Sequence, residues 1–350
     1  MRFELMTHGA PLRRMQDLAR DAEAAGFDGL VVTEGARTAY LTCAAVALAA
    51  DLDISTGIAV AFPRSPMVTA QSAWELAELS GGRFRLGIGT QVRAHIERRY
   101  AGAFDPPGPR LREYVQALRA IFVAFRGDTP LDFSGDYWSF SLLPAQWSPG
   151  PIDVDNPPID IAAVSPWMLR MAGEVADGVH VHPLNSPTYL KETVVPSVAE
   201  GARRAGRDAA HVELAVPVFT AAGDTDEEQQ RWWEMARAQV AFYGSTPNYA
   251  FIFDQLGFDG TTAKIRERQK AGDFAGMANV LSDDLLAHFV VRGTWAQLPD
   301  LIVDRLDGVA ARAIAYFAGA TWSQDPAWQE QWGQVARAVG ERTSSSRRRK

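Results

Sequence analysis

The chain has 350 residues, of which 47% are hydrophobic and 22% are charged, and its formal net charge is −7. This negative net charge argues against a nucleic-acid-binding surface as the main function. Cys43 is the only cysteine, which excludes a disulfide framework and a cysteine-based metal site. Residues 1–10 lack the apolar region of a signal peptide, and no apolar run approaches the roughly 20 residues that cross a bilayer, so we expect a cytoplasmic protein with no membrane partner.

In chain order, the first half of the sequence alternates between strand and helix patterns. Short apolar runs typical of buried parallel strands occur at residues 3–7, 29–33, 54–62 and 84–88. Helical periodicity or an alanine-rich composition follows each of them, at residues 12–25, 39–50, 67–79 and 110–125. This order is typical of a parallel α/β protein.

The second half continues the alternation but contains two irregular stretches. Residues 131–142 alternate with period two around Ser134-Gly135-Asp136, which predicts a hairpin, and a proline-rich linker follows at 144–158. Further strands are predicted at residues 159–163, 178–182, 211–220 and 313–317, and helices at 166–175, 186–205, 226–243, 294–306 and 326–339. Residues 244–290 do not fit the repeat, and we interpret them as an insertion with a polar helix at 262–270 and a short apolar helix at 281–291.

About eight strand–helix units predict a (β/α)8 TIM barrel, which closes such a set of strands without free edges. We expect a single domain over residues 1–340, with insertions at about 127–157 after strand 4 and 244–290 after strand 7. A disordered basic tail is expected at residues 341–350. The alternative is an open doubly wound sheet, but Val92 stands where the third glycine of the dinucleotide-binding motif would follow Gly87 and Gly89.

In such a barrel the loops after the strands form the active face. Two of these loops could present backbone N–H groups to a phosphate. Gly89, Thr90 and Gln91 end the fourth strand. Residues 163–166 (Ala163, Val164, Ser165 and Pro166) precede a helix, with Ser165 as the expected N-cap and Pro166 as the first helical residue.

Several segments together resemble the luciferase-like monooxygenase superfamily. They are FDGLVVTE at 27–34, TGIAVAFPRSP at 56–66, SGGRFRLGIGT at 80–90, MAGEVADGVHVHP at 171–183 and HFVVRGTWAQLPDLI at 288–302. The sequence is most similar to the branch of oxidoreductases that depend on the deazaflavin coenzyme F420. The resemblance implies a barrel, a homodimer, and a cofactor at the carboxyl ends of the strands.

The resemblance also implies particular contacts with that cofactor. A cis peptide bond between Gly57 and Ile58 would back the deazaflavin ring, and the loop at 163–166 would bind the phosphate. Here Val164 and Ser165 replace the glycines of the family's loop. Arg93, together with Arg98 and Arg99, would suit the anionic oligoglutamate tail of F420.

The implied reaction is hydride transfer between the deazaflavin and a small or medium organic molecule, for which the protein supplies orientation and one proton. His8, Glu34 and His182 follow predicted strands and are the candidate catalytic residues. Period-two alternation puts His180 on the same face as His182, so His180 is a candidate for lining the cofactor. Two histidines without carboxylate or cysteine partners make a weak metal site, and we expect none.

Two other functions stay open on the sequence. One is a two-component monooxygenase of the same fold that uses reduced FMN and oxygen. The other is a non-catalytic member of the family that binds a flavin or nothing. Co-purification discriminates between the F420-dependent and the FMN-dependent function, because deazaflavin and flavin absorb and fluoresce differently. Binding without turnover across a substrate panel would favour the non-catalytic member.

Overall fold

Eight parallel strands close into a barrel in the computed structural model, which describes residues 1–322 and 324–347. The strands are Arg2–Thr7, Gly29–Val32, Asp53–Thr56, Phe84–Gly89, Ile159–Ala163, Gly178–Val181, Glu213–Ala222 and Arg312–Ala315. The first strand pairs with both the second and the eighth, since Glu4 lies opposite Gly29 and Ile314. The (β/α)8 prediction is therefore confirmed, and the open doubly wound sheet is wrong.

Helices cover the outside of this barrel. The longer ones are Leu12–Ala25, Ala39–Ala47, Pro66–Leu79, Pro107–Arg126, Pro166–Val175, Val195–Arg204, Asp226–Gly244, Thr261–Lys270, Leu298–Leu306 and Pro326–Arg347. Shorter ones are Arg93–Arg99, Pro187–Tyr189, Ala250–Asp254, Phe274–Asn279, Asp283–Ala287 and Ala318–Thr321. Because helices and barrel interior bury both faces of the sheet, the second and sixth strands are buried at every residue, which explains their continuous apolar sequences.

The third strand is interrupted, although the sequence predicts one run over residues 54–62. The hydroxyl of Thr56 donates a hydrogen bond to the Gly87 carbonyl at 2.7 Å and accepts one from the Gly87 N–H at 2.9 Å. The strand then bulges and resumes at Ala59–Val60, which pairs with Ile88 and Gly89 of the fourth strand. The Gly57–Ile58 bond within the bulge is cis, as the resemblance implies.

The first insertion contains the predicted hairpin, in which Phe133–Ser134 pairs antiparallel with Ser139–Phe140. Its tip is fixed by the buried carboxylate of Glu113, which accepts hydrogen bonds from the backbone N–H groups of Asp136, Tyr137 and Trp138 at 2.7–2.8 Å. The helix that carries Glu113 begins at the carboxyl side of the barrel, because it connects the end of the fourth strand to the start of the fifth. The hairpin tip therefore reaches that side.

The second insertion ends in a strand where the sequence predicts a helix over residues 281–291. Only Asp283–Ala287 is helical, and Val290–Gly293 pairs in parallel with the seventh strand. The reason lies in the unequal lengths of the barrel strands. The sixth and eighth strands pair only with residues 213–218 of the seventh, so residues 219–222 remain for pairing with the added strand. The helix predicted from residue 294 accordingly begins at Leu298.

The last helix extends to Arg347, whereas the sequence predicts a disordered tail from residue 341. Packing of this segment on the barrel explains the difference. Arg342 forms an ion pair with Asp300, and the Thr343 hydroxyl donates a hydrogen bond to the Met1 carbonyl at 3.2 Å. Residues 348–350 lie outside the described part of the chain. No helix within residues 1–322 and 324–347 is long and apolar enough to span a membrane.

Candidate active site at the carboxyl ends of the strands

The residues that follow the barrel strands converge on one end of the barrel, which we call the rim. Parallel strands have all their carboxyl ends on the same side. The rim therefore collects most of the residues singled out by the sequence, which are His8, Glu34, Gly57, Ile58, Gly89, Thr90, Gln91, Ala163, Val164, Ser165, Pro166 and His182. His180 lies deeper, and Arg93 lies in the short helix after the fourth strand.

Glu34 is held in a buried ion pair. Its side chain is 3% exposed and accepts hydrogen bonds from both terminal nitrogens of Arg64, at 2.5 and 2.8 Å, and from the Val60 N–H at 2.7 Å. Burial alone would lower the pKa of Arg64, but the Glu34 carboxylate outweighs burial and raises it. The Arg64 guanidinium lies 5.1 Å from the centre of the Tyr40 ring. Glu34 thus fixes the bulged third strand at the rim.

His8 and Thr33 connect the ends of the first two strands. Nδ1 of His8 lies 2.8 Å from the Thr33 hydroxyl, which donates its own proton to the Thr7 carbonyl at 3.3 Å. When the Thr33 hydroxyl donates to Thr7, His8 donates through Nδ1, and its Nε2 is then a hydrogen-bond acceptor. Burial lowers the pKa of His8, so a neutral imidazole is favoured at this position.

His182 lies in an aromatic cluster beyond the sixth strand. Its Nδ1 accepts a hydrogen bond from the Leu184 N–H at 3.0 Å, which assigns the ring proton to Nε2. The ring centre lies 4.6 Å from those of Tyr243 and Tyr249, and the Tyr243 hydroxyl is 2.5 Å from that of Tyr316. Burial lowers the pKa of His182 to about 3. His182 is therefore a neutral hydrogen-bond donor.

The three tyrosines of this cluster were not singled out by the sequence. Tyr316 directly follows the eighth strand, so its position as a strand-end residue could have identified it. Tyr243 and Tyr249 lie at the end of a long helix and in the second insertion, and no local pattern connects either of them to His182. Only the three-dimensional structure brings them together.

His180 lies inside the barrel, beneath the rim. It is 6% exposed, and a Cβ atom added to Gly57 or Gly87 would lie 3.3 or 2.8 Å from its ring. Its Nε2 lies 3.7 Å from an Asp160 oxygen and has no hydrogen-bond partner among the described residues. Burial lowers the pKa of His180. This arrangement is compatible with the prediction that His180 and His182 lie on the same face of their strand. His180, however, packs against Gly57 below the rim.

The loop after the fifth strand starts a helix as predicted. The Ser165 hydroxyl accepts a hydrogen bond from the Met168 N–H at 3.4 Å, and Pro166 is the first helical residue. The Val164 carbonyl accepts a hydrogen bond from the Tyr189 hydroxyl at 2.7 Å. Ser165 is confirmed as an N-cap. The N–H groups at this helix start that have no intrahelical partner could bind an anion.

The loop after the fourth strand also has a constrained geometry. A Cβ atom on Gly89 would lie 3.0 Å from the Ile58 side chain and 3.2 Å from Ala162, so glycine leaves room for Ile58 at the rim. Gln91 adopts a positive φ of 56°, and its backbone carbonyl accepts a hydrogen bond from the Thr90 hydroxyl at 3.0 Å. This loop is therefore positioned by its own hydrogen bonds.

Arg93 already has carboxylate partners. It forms ion pairs with Glu97, at 3.0 Å, and with Asp105, while Arg99 donates a hydrogen bond to the Gly35 carbonyl at 2.5 Å. An added anion would have to compete for Arg93 with two acidic side chains. Across the described stretches of the chain, no group of three or more histidine, cysteine, aspartate or glutamate residues is arranged to hold a metal ion.

The profile of the luciferase-like monooxygenase family matches residues 2–312, and the chain belongs to that family. An uncharacterized protein of Mycobacterium tuberculosis is 37% identical to it over 314 residues, which cover 89% of this chain and 92% of the relative. A 5,10-methylenetetrahydromethanopterin reductase of Methanolobus tindarius is 28% identical over 290 residues, which cover 81% and 84%.

Solved structures share the fold. The coenzyme F420-dependent tetrahydromethanopterin reductase from Methanopyrus kandleri matches with a TM-score of 0.74 and 21% identity, over 95% of this chain and 97% of that one. The EDTA monooxygenase from Chelativorans sp. BNC1 matches with a TM-score of 0.72 and 16% identity, over 98% and 94%. Both a reductase and a monooxygenase thus share this fold.

Proposed function

We propose that this protein is an F420-dependent oxidoreductase that transfers a hydride between the deazaflavin and a small or medium organic substrate. The observation that carries the proposal is the neutral, donor-only Nε2–H of His182 at a rim whose Glu34 carboxylate is fully engaged. Hydride transfer needs orientation and hydrogen bonding more than an ionised acid or base at the reacting centre. Two similarities support the choice of cofactor: to a methylenetetrahydromethanopterin reductase over 81% of the chain, and in fold to the coenzyme F420-dependent tetrahydromethanopterin reductase.

The residues at the rim suit the parts of such a cofactor. Gly57 and Ile58 would line the ring: Gly57 packs on His180, and Gly89 makes room for Ile58. The helix that begins at Pro166 offers its amino terminus to a phosphate. When bound, F420 supplies a ring carbon that accepts or delivers the hydride.

The chain's own side chains then have separate tasks. His182 donates a hydrogen bond to a substrate oxygen, and the Nε2 acceptor of His8 orients a hydroxyl or holds its proton. Glu34 acts as a positioning residue through Arg64 and Val60. A homodimer in the cytoplasm is the assembly and location we propose with this function, on the family resemblance alone.

A spectroscopic titration of the purified protein with F420 and with FMN tests the proposal. We expect saturable binding of F420 with a change in its absorbance, and turnover with part of a substrate panel. Binding of reduced FMN instead of F420 would make the protein a two-component monooxygenase. Binding of either cofactor without turnover would favour a non-catalytic role.

Replacing Ser165 by aspartate tests the phosphate site. Aspartate is also a good N-cap and its charge favours a helix start, so the fold is retained. The carboxylate would repel a phosphate at the same place, and we expect F420 to bind about tenfold more weakly. Ser65→Asp is the matched control, because Ser65 caps the helix Pro66–Leu79 with nearly the same backbone angles (φ −71°, ψ 152° against −72°, 152°). Equal affinity of the two variants would remove Ser165 from the phosphate site.

The protonation of His182 gives a second test. Its pKa falls from the ordinary 6.5 to about 3 in the folded chain, so the unfolded chain binds more protons between these values. The contribution of His182 to the free energy of unfolding is therefore present at neutral pH and declines as the pH falls below 6.5. In NMR spectra assigned with a His182→Gln variant, the ring signal should not titrate between about pH 8 and pH 5. An inflection near the ordinary histidine value would contradict the neutral-donor assignment.

A further inference from the structure

The guanidinium of Arg110 is packed among aromatic rings close to the rim. Arg110 lies in the first turn of the helix Pro107–Arg126. Its guanidinium carbon is 5.1 Å from the ring centre of Trp138, 5.3 Å from that of Tyr137 and 5.8 Å from that of Phe62. Such packing on ring faces stabilises a cation and leaves the edge of the guanidinium plane for hydrogen bonds.

This guanidinium has no counter-charge in the described structure. The Nε atom of Arg110 is buried without a hydrogen-bond partner, and no ion pair with a carboxylate is formed. Arg64, Arg85 and Arg312, which are also largely buried, are each bonded to a carboxylate. Arg305 instead donates hydrogen bonds to the backbone carbonyls of Asn185 and His288. The ring contacts compensate only part of the hydration that a partly buried cation loses, and a bound anion would restore the rest.

The acidic residues that flank Arg110 in the sequence, Asp105 and Glu113, are already engaged. Glu113, one turn further along the same helix, uses both oxygens to accept the three N–H groups of the hairpin tip. Asp105 is paired with Arg93. The charge of Arg110 is therefore free for a ligand, whereas Arg93, the arginine that the sequence suggested, is not.

The position of Arg110 connects it to the proposed site. Phe62 follows the resumed third strand Ala59–Val60, and Arg64 of the buried ion pair comes two residues later. On the helix, Tyr114 lies one turn beyond Arg110, and its hydroxyl is 2.5 Å from that of Thr69 and donates to the Arg64 carbonyl at 3.3 Å. Arg110 thus stands beside the rim at the third strand.

We propose that Arg110 binds an anionic group, a carboxylate or a phosphate, of the molecule held at the rim. This inference rests on the proposed function for its assumption that a ligand occupies the rim. A planar guanidinium that is sandwiched by rings presents paired N–H groups along one edge, which is the arrangement that binds a carboxylate or phosphate through two parallel hydrogen bonds. The group belongs either to the tail of the cofactor or to the substrate.

Calorimetric titrations of the full-length protein distinguish the two sources. The probes are intact F420, its tail-less deazaflavin precursor, γ-linked diglutamate and inorganic phosphate. The variants are Arg110→Gln, which removes the charge, and Arg110→Lys, which keeps the charge and loses the planar edge. Arg14→Gln is the control, because Arg14 is exposed on the helix Leu12–Ala25 and its replacement changes the net charge equally. Circular dichroism verifies that each variant is folded.

If the anion belongs to the cofactor, Arg110→Gln should bind intact F420 at least about tenfold more weakly than the wild type does. Its affinity for the tail-less precursor should equal that of the wild type. The affinity of Arg110→Lys for intact F420 should lie between those of the wild type and Arg110→Gln. If it belongs to the substrate, F420 binding is unchanged, and the binding of diglutamate or phosphate seen with the wild type is lost. Wild-type affinity of Arg110→Gln for every probe would overturn the proposal. A wild-type protein that ignores F420 would count against the proposed function alone, since the two anion titrations still test Arg110.

Discussion

Replacing Gly87 by alanine is expected to lower the free energy of unfolding by about 3 kcal/mol and to abolish cofactor binding. An alanine Cβ at this position would lie 2.0 Å from the Thr56 carbonyl oxygen and 2.8 Å from Nε2 of His180. Neither can yield easily, because one is backbone and the other belongs to a buried ring. Relief of the clash must move the Thr56 carbonyl, and Gly57 and Ile58 move with it. One added methyl group within the barrel should therefore lower the stability of the fold and also disturb the proposed cofactor site at Gly57 and Ile58.

Urea unfolding and F420 titration of Gly87→Ala provide the measurements. Gly35→Ala is the control at the same end of the barrel, because no atom lies within 4 Å of its added Cβ, and its stability should stay within about 0.5 kcal/mol of the wild type. If Gly87→Ala unfolds and binds F420 as the wild type does, the prediction is contradicted. The fourth strand would then not support the bulge in the third strand.

Breaking the buried ion pair at the rim should have a comparable effect. Glu34→Gln leaves the Arg64 charge without its partner, and Arg64→Met leaves the Glu34 carboxylate, 3% exposed, without compensation. We expect each change to cost about 3 kcal/mol of unfolding free energy. The double variant should be less destabilised than the sum of the two, by about 2 kcal/mol, because neither charge is then left alone. Additive losses in urea unfolding would contradict the ion pair.

The same variants separate a positioning role of Glu34 from proton transfer. If Glu34 acts only by holding Arg64 and Val60, Glu34→Gln should lower kcat/KM and leave the shape of its pH dependence unchanged. Loss of an ionisation from the pH profile would instead assign proton transfer to Glu34, as the sequence alone suggested. The fully engaged carboxylate favours the first result.

The barrel could be predicted because each of its strands is a short apolar run buried on both faces, followed by a helix of clear periodicity. The added strand Val290–Gly293 could not, because its partner is the free half of a long strand far away in the sequence. The end of the last helix was missed for a similar reason. A basic, serine-rich composition predicts disorder, but Thr343 is tied to the Met1 carbonyl at the other end of the chain.

For the site, the sequence identified which residues end the strands but not what those residues contact. His182 follows its strand as expected, yet the neutral state of its ring depends on Tyr243 and Tyr249, which arrive from a distant segment. Arg93 and Arg110 look alike in the sequence, and only the structure distinguishes the arginine with carboxylate partners from the one packed among aromatic rings. Pairing of charges is a property of three-dimensional neighbours, which a single sequence does not specify.

The central claim is that the rim holds a deazaflavin against Gly57 and Ile58 with His182 as a neutral donor. The most direct test is a crystal structure of the protein soaked or grown with F420. The account predicts electron density for the ring in contact with Ile58, and Nε2 of His182 directed to the space where a substrate oxygen would lie. A ring bound elsewhere on the molecule, or no density at saturating F420 while FMN occupies the rim, would contradict it.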